Sequence, residues 1–168
     1  MFRKTVLVAL TVALLGVGTT AIGAQDRRRC EASDVSWALG LPRNSFAAGD
    51  PIRFSLEIEL SSKEACEMEF PSGRRGTVEV FENGKPVWEH GYCRVYPQHI
   101  EYEMWEPGHS ETYRYTWKQR ENSRNDKGEL DCEGKRHDAG PGDYSGRGIF
   151  FGTEPNARTA RVKFRITE

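Results

Sequence analysis

The ten residues PIRFSLEIEL, at 51–60, constrain the fold more than any other stretch of this chain. Ile52, Phe54, Leu56, Ile58 and Leu60 alternate with Arg53, Ser55, Glu57 and Glu59. Strict alternation over nine residues puts every apolar side chain on one face of a strand, and no helical period fits it. A strand of this kind has to rest on a second apolar layer, which the rest of the chain must supply.

The remaining sequence continues in the same period. CEMEF directs Cys66, Met68 and Phe70 inward, and TVEVF leads into the turn ENGK, whose Asn83-Gly84 is the strongest short hairpin signal. Trp88 closes the strand after it. HIEYEMW places Ile100, Tyr102 and Met104 on one face. The turn EPGH then reverses the chain into ETYRYTW, where Tyr113, Tyr115 and Trp117 share a face. These two runs are expected to pair as a hairpin with both apolar faces buried. DVSWAL supplies a first strand. GDYSGRGIFF and ARVKFRIT supply the last two, with Val162, Phe164 and Ile166 opposite Arg161, Lys163 and Arg165. Eight or nine short strands without a convincing helix predict an all-β, antiparallel two-sheet sandwich. Tyr113, Tyr115 and Trp117 then belong to its core rather than to a ligand platform. Residues 118–142 break the rhythm as a long, charged loop, of the kind that is usually functional or disordered. Cys132 within it suggests that the loop is pinned.

The first residues read as a leader. Arg3 and Lys4 precede an apolar run from Val6 to Val17, and Ile22-Gly23-Ala24 offers a small-residue cleavage site. The run is short for a bilayer span. The expectation is a signal peptide over 1–24 and a single β-sandwich domain over 25–168, exported to the periplasm or secreted, monomeric, and without a membrane span after cleavage. Removing 1–24 takes away two basic residues and no acids. That leaves 22 Lys and Arg against 25 Asp and Glu, a net charge of −3. Such a balance excludes a nucleic-acid partner, whose polyanion needs a basic face. Export also predicts that the four cysteines form two disulfides. With consecutive strands antiparallel, the start of the first strand and Cys66 fall at one end of the sandwich, and Cys93 and the 118–142 loop at the other. The expected pairs are therefore Cys30–Cys66 and Cys93–Cys132.

Catalytic patterns are poor. His90, His99, His109 and His137 form no H-E-x-x-H pair. Ser145 in GDYSG lacks the nucleophile elbow. Gly142, Gly146 and Gly148 read as bulge positions in a strand rather than as a phosphate cradle. His90, Cys93, Cys132 and His137 could supply a zinc set, but an oxidising compartment favours disulfides. Asp126, Glu129, Asp131 and Glu133 crowd one loop without the order of a calcium hand. No metal, cofactor or enzymatic activity is expected. A zinc-dependent hydrolase is the catalytic alternative.

Several motifs recur in one order: FPSGRRGTVEVFENGKPVW (70–88), Tyr96, WEPGHSETYRYTW (105–117) and PGDY (141–144). Over about residues 45–152 the chain resembles the bacterial BsuPI family, named for the Bacillus intracellular proteinase inhibitor. The resemblance implies an immunoglobulin-like sandwich and, for the founding members, inhibition of serine proteinases. It makes Gly73, Trp88, Pro107, Gly108, Trp117, Pro141, Gly142 and Tyr144 scaffold residues. The leader, the four cysteines and the length of the 118–142 loop depart from the family pattern. A trypsin-like cleft accepts Arg or Lys, so the basic pairs Arg74-Arg75 and Lys135-Arg136 become candidate contacts, with solvated turns as the plainer reading. A non-inhibitory envelope or adhesion module is the alternative function on the same scaffold.

Overall fold

The structure is a computed structural model that describes residues 27–168 except 126, 128, 129, 133 and 135. The expected leader and Lys135 lie outside the described residues. A 3-10 turn (Ala32–Asp34) precedes β1 (Val35–Gly40), β2 (Ser45–Ala47), β3 (Ile52–Leu60), β4 (Cys66–Phe70) and β5 (Gly76–Glu82). Next come β6 (Lys85–Glu89), β7 (Glu101–Trp105), β8 (Ser110–Trp117), β9 (Arg120–Glu121) and β10 (Ser123–Arg124). The chain ends with β11 (Leu130–Asp131), β12 (His137–Asp138), β13 (Gly142–Phe150), β14 (Ala157–Arg158) and β15 (Val162–Thr167). One sheet has the order β1-β3-β8, and the other β2-β15-β13-β5-β6 with β14 on β13. The β2–β15 pair is parallel and the other ladders are antiparallel. Among the described residues no helix is long and apolar enough to cross a membrane.

The two sheets meet where the sequence alternates most strictly. Ile52, Phe54, Leu56, Ile58 and Leu60 are all buried, while Glu57 and Glu59 are exposed. Trp117 and Tyr115 enter the same layer from β8, and Tyr113 packs partly buried against it. Phe164 from β15 holds the aromatic centre together. It stacks on Tyr144 at 5.9 Å and meets Phe54 and Trp117 edge-on at 5.9 and 6.2 Å. The Tyr144 hydroxyl donates to the carbonyl of Gly140, four residues upstream, at 2.9 Å. That is the geometry of the tyrosine corner found in immunoglobulin-type sandwiches.

The expected bulge around Gly146 and Gly148 is absent. Both lie in unbroken register with β5, and their lack of a side chain makes room for the facing sheet. A Cβ on Gly146 would stand 2.8 Å from the Phe54 ring, and one on Gly148 would stand 2.6 Å from Leu56 Cδ1.

The expected hairpin between the runs 99–105 and 111–117 does not form either. β7 pairs with β4 (Cys66 opposite Trp105, Phe70 opposite Glu101), and β8 pairs with β3 (Glu59 opposite Ser110). The two ladders are successive parts of one long ribbon that bends where both strands break. At the bend Leu60 donates to His109 (2.9 Å) and accepts from Gly108 (3.1 Å). Gly108, at φ +80°, lets the Glu106–His109 turn close. The turn is thus a kink in one strand of a ribbon, not the tip of a hairpin. Facing is conserved across it, so Trp105, Glu103 and Glu101 point inward while Tyr102 and Met104 point outward. This reverses the face expected for Ile100, Tyr102 and Met104.

The 118–142 segment is an excursion with ladders of its own. β9 pairs with β12, and β10 with β11. Its base is locked by Gln119, buried at φ +53°. The Gln119 amide donates to the carbonyls of Ala47 and Asp50 and accepts from the Gly49 N–H, each at 2.8 Å.

Three substitutions probe this packing. Leu56→Ala is expected to lower stability by about 2–5 kcal/mol, and Glu57→Ala by less than about 0.5 kcal/mol. Gly148→Ala overfills the layer and is expected to destabilise by about 1–3 kcal/mol. Urea unfolding measures all three, and a neutral Gly148→Ala would show that the sheets do not meet there.

Candidate functional site

The sheet-to-sheet turn after β4 carries Arg74 and Arg75, which the sequence offers as solvent-facing contacts. In the structure both are mostly buried and engaged. Arg74 reaches Glu89 at 2.5 Å and the His90 carbonyl at 2.8 Å, over the rings of Tyr96 and Phe151. Arg75 bridges Glu101 (2.5 Å) and Glu103 (2.6 Å) and lies 3.8 Å above the Phe70 ring. Neither is presented as a free side chain. Arg75 also explains the reversed facing of β7, since it draws both carboxylates to the inner side of the strand. A hydrogen bond from His99, followed by the charge of Arg75, holds the Glu101 carboxyl below its ordinary range. Arg136 is exposed.

Bringing Glu101 and Glu103 inward leaves Ile100, Tyr102 and Met104 outside. They are 55%, 51% and 44% exposed. Tyr92 (41%) and Val95 (98%) precede them. Every large apolar side chain that is exposed among the described residues therefore falls within 92–104. Scattered single exposures are ordinary on a protein surface, whereas a concentration of them in one segment points to an interaction site.

This segment is held in place, although much of it lies outside any strand. Cys93 is bonded to Cys132 in the excursion. Gly91, at φ +71°, lets Arg94 donate back to its carbonyl at 2.9 Å. Pro97 accepts from Gly73 at 3.3 Å, and His99 bonds Glu101 at 2.5 Å. Among the described residues β7 carries a ladder on one side only, against β4. The second disulfide, Cys30–Cys66, ties the chain entering β1 to the start of β4, just past the bend of the ribbon.

The residues weighed for chemistry are dispersed or occupied. Cys93 and Cys132 are in a disulfide, so the thiolates of a zinc set with His90 and His137 do not exist. The His90 ring packs against Trp88 and Tyr115. Burial, and then the charges of Arg94 and Arg74, push its pKa down. Ser145 sits in mid-strand opposite Phe81 and Lys163. Of the acids considered for calcium, Asp126, Glu129 and Glu133 lie outside the described residues.

The family profile described as BsuPI, intracellular proteinase inhibitor, matches residues 41–153. The chain belongs to the BsuPI family. Within that match lie the ribbon from β3 onward, the 92–104 segment and the whole excursion, whereas Cys30 and β1 precede it. No curated protein is significantly similar to the chain. Among solved structures, a β-glucosidase from Erythrobacter marinus aligns at TM-score 0.40 and 12% identity, over 79% of this chain and 16% of its own. A β-glucosidase from Listeria innocua aligns at 0.42 and 10%, over 80% and 16%. An alkylpurine DNA glycosylase from Pseudomonas fluorescens aligns at 0.44 and 11%, over 80% and 31%. The chain thus spans a small part of each, and likeness of this degree carries no argument about activity.

The two disulfides differ in access. Cys30 and Cys66 are buried, and Cys93 and Cys132 are exposed. Exchange requires a thiolate to reach sulfur. Titration with a thiol reductant, followed by alkylation and peptide mapping, is expected to label Cys93 and Cys132 well before Cys30 and Cys66. Simultaneous labelling would show that local access does not govern the order.

Proposed function

We propose that this BsuPI protein is exported and binds a serine proteinase, blocking it with the 92–104 segment. The observation that carries the reading is the concentration of exposed apolar side chains in that one pinned segment. Membership in a family described as a proteinase inhibitor supports the choice of partner, and the two disulfides support an oxidising destination. Inhibition of this kind needs no catalytic group. It needs a surface whose order is set before docking, so that little conformational freedom is lost on binding. The Cys93–Cys132 bond and the Gly73–Pro97 contact set that order here. Tyr and Met are enriched at protein interfaces, and Tyr102 and Met104 stand side by side in register with Glu69 and Glu67. Arg136, exposed on the excursion, is the basic side chain able to enter a trypsin-like pocket. Arg74 and Arg75 serve the scaffold.

The test is a set of progress curves for trypsin-like and subtilisin-like proteinases with the purified oxidised protein. Micromolar protein is expected to slow at least one of them. Tyr102→Ala is expected to weaken that inhibition by about 2 kcal/mol, roughly thirtyfold, as truncation of an interface anchor does. Arg75→Ala is expected to lower the melting temperature first, because it strands two inward carboxylates. If no proteinase is slowed and the protein is neither cleaved nor bound, the inhibitor reading fails. A non-inhibitory envelope or adhesion module then takes its place.

A further inference from the structure

A recess beside Cys93 shares Arg136 and the 92–94 turn with that reading, but its own ligand requires no proteinase. It encloses about 430 Å³ between the ends of β6 and β8, the 91–94 turn and the excursion. Arg94, Lys118, Arg120 and Arg136 line it, and all four are exposed. Arg120 lies 3.6 Å from Asp138. Arg94, Lys118 and Arg136 have no ion pair with a described residue. The one acid among the described lining residues, Glu89, is already taken by Arg74 at 2.5 Å. Four like charges converging on one concavity repel each other, so stability alone gives no reason for the arrangement. Beneath them the wall is formed by the buried rings of Trp88 and Trp117. The lowered pKa of His90, owed to burial and then to Arg94 and Arg74, is consistent with a positive field in the recess.

We propose that this recess is an anion site whose ligand is a short acidic peptide segment, its carboxylates held by Arg94, Lys118 and Arg136. The size falls at the low end of ligand pockets, which run about 300–1,000 Å³. Guanidinium forks match carboxylates bidentately, and an ammonium adds a point charge. Four exposed basic side chains line this one concavity, in a chain whose 25 acids outnumber its 24 bases. A nucleic acid needs an extended basic track for its row of phosphates, so the compact site favours the short anion. Arg94 and Arg136 come from segments that the Cys93–Cys132 bond joins, so the exposed disulfide also holds the recess together.

Calorimetric titration of the oxidised protein with a hexaglutamate peptide at low ionic strength tests this, with inorganic phosphate as the comparison. Saturable one-to-one binding is expected, and it should weaken as salt is added. Arg94→Ala and Lys118→Ala are each expected to lower affinity roughly tenfold, with unchanged melting temperatures because both side chains are exposed. Lys63→Ala, at the bend of the ribbon between β3 and β4 and outside the recess, should bind as the parent does. Absence of saturable binding to hexaglutamate overturns the proposal. So does an equal loss in Lys63→Ala, which would mean that net charge alone is read. Binding of phosphate in place of the peptide overturns the assignment of the ligand. Because no proteinase enters the experiment, its outcome is independent of the inhibition assays.

Discussion

The close approach of β3 to β13 sets the geometry of everything else. Phe54 and Leu56 sit where side chains on Gly146 and Gly148 would have been. The layers interlock there at a depth that ordinary residues would prevent. Sheets packed face to face stand about 10 Å apart, and local glycines let large side chains from one sheet fill the space without pushing the other away. Phe164 can then reach Phe54, Trp117 and Tyr144 together, and Tyr144 can turn its hydroxyl back to Gly140. With β3 anchored in this way, its ladder to β8 is fixed. The bend at Leu60 then has a rigid arm to bend from.

Beyond the bend the chain does something that core formation does not ask for. β7 has an apolar row and an acidic row, and it turns the acidic row inward. Glu101 and Glu103 are tolerated there because Arg75 lies between them on the Phe70 ring. Removing charges from water is unfavourable unless they are paired. The arrangement therefore contributes little to stability and leaves Tyr102 and Met104 in solvent. Natural sequences that set local pattern against burial tend to do so at functional surfaces. Among the described residues the same strand pairs only with β4, so its other edge and its apolar side chains are offered side by side. That is the chemistry of an extended partner segment.

Where pattern and burial agree, the sequence was a sufficient guide. The alternation of β3, β4, β8 and β15 and the Asn83-Gly84 turn are found where the period of two and the turn chemistry put them. The BsuPI resemblance, read from motifs in order, is likewise matched by the family profile. The misreadings have one cause: local pattern does not specify partners. Ile100, Tyr102 and Met104 look inward because they are apolar, and only their position opposite Glu69 and Glu67 reveals the outer face. The turn at 106–109 has the chemistry of a hairpin, yet whether its flanks pair depends on β4 thirty-odd residues earlier. Arg74 and Arg75 resemble a solvated turn until Glu89, Glu101 and Glu103 arrive from elsewhere in the chain. Gln119 gives no signal at all. Its role rests on a left-handed backbone and three bonds to the 47–50 turn.

The two disulfides divide the labour between fold and surface. On a chain-entropy account each closes a loop worth roughly 4 kcal/mol, so their thermodynamic weight is similar. Their positions are not equivalent. Cys30 and Cys66 are buried in the core cluster, and Cys66 is paired opposite Trp105 at the start of the bent ladder. Their bond fastens the incoming chain to the part of the ribbon that the β3–β13 contact does not reach. Cys93 and Cys132 are exposed and belong to segments that contribute little to the core, so their bond acts on loops rather than on sheets. Opening it would unlink the 91–94 turn, and so Arg94, from the excursion that carries Arg136, while the Gly73–Pro97 bond and the glycine-mediated contact of the sheets would remain. Order at the surface can therefore be lost without loss of the fold, and a scaffold built this way can vary its loops while its packed centre stays fixed.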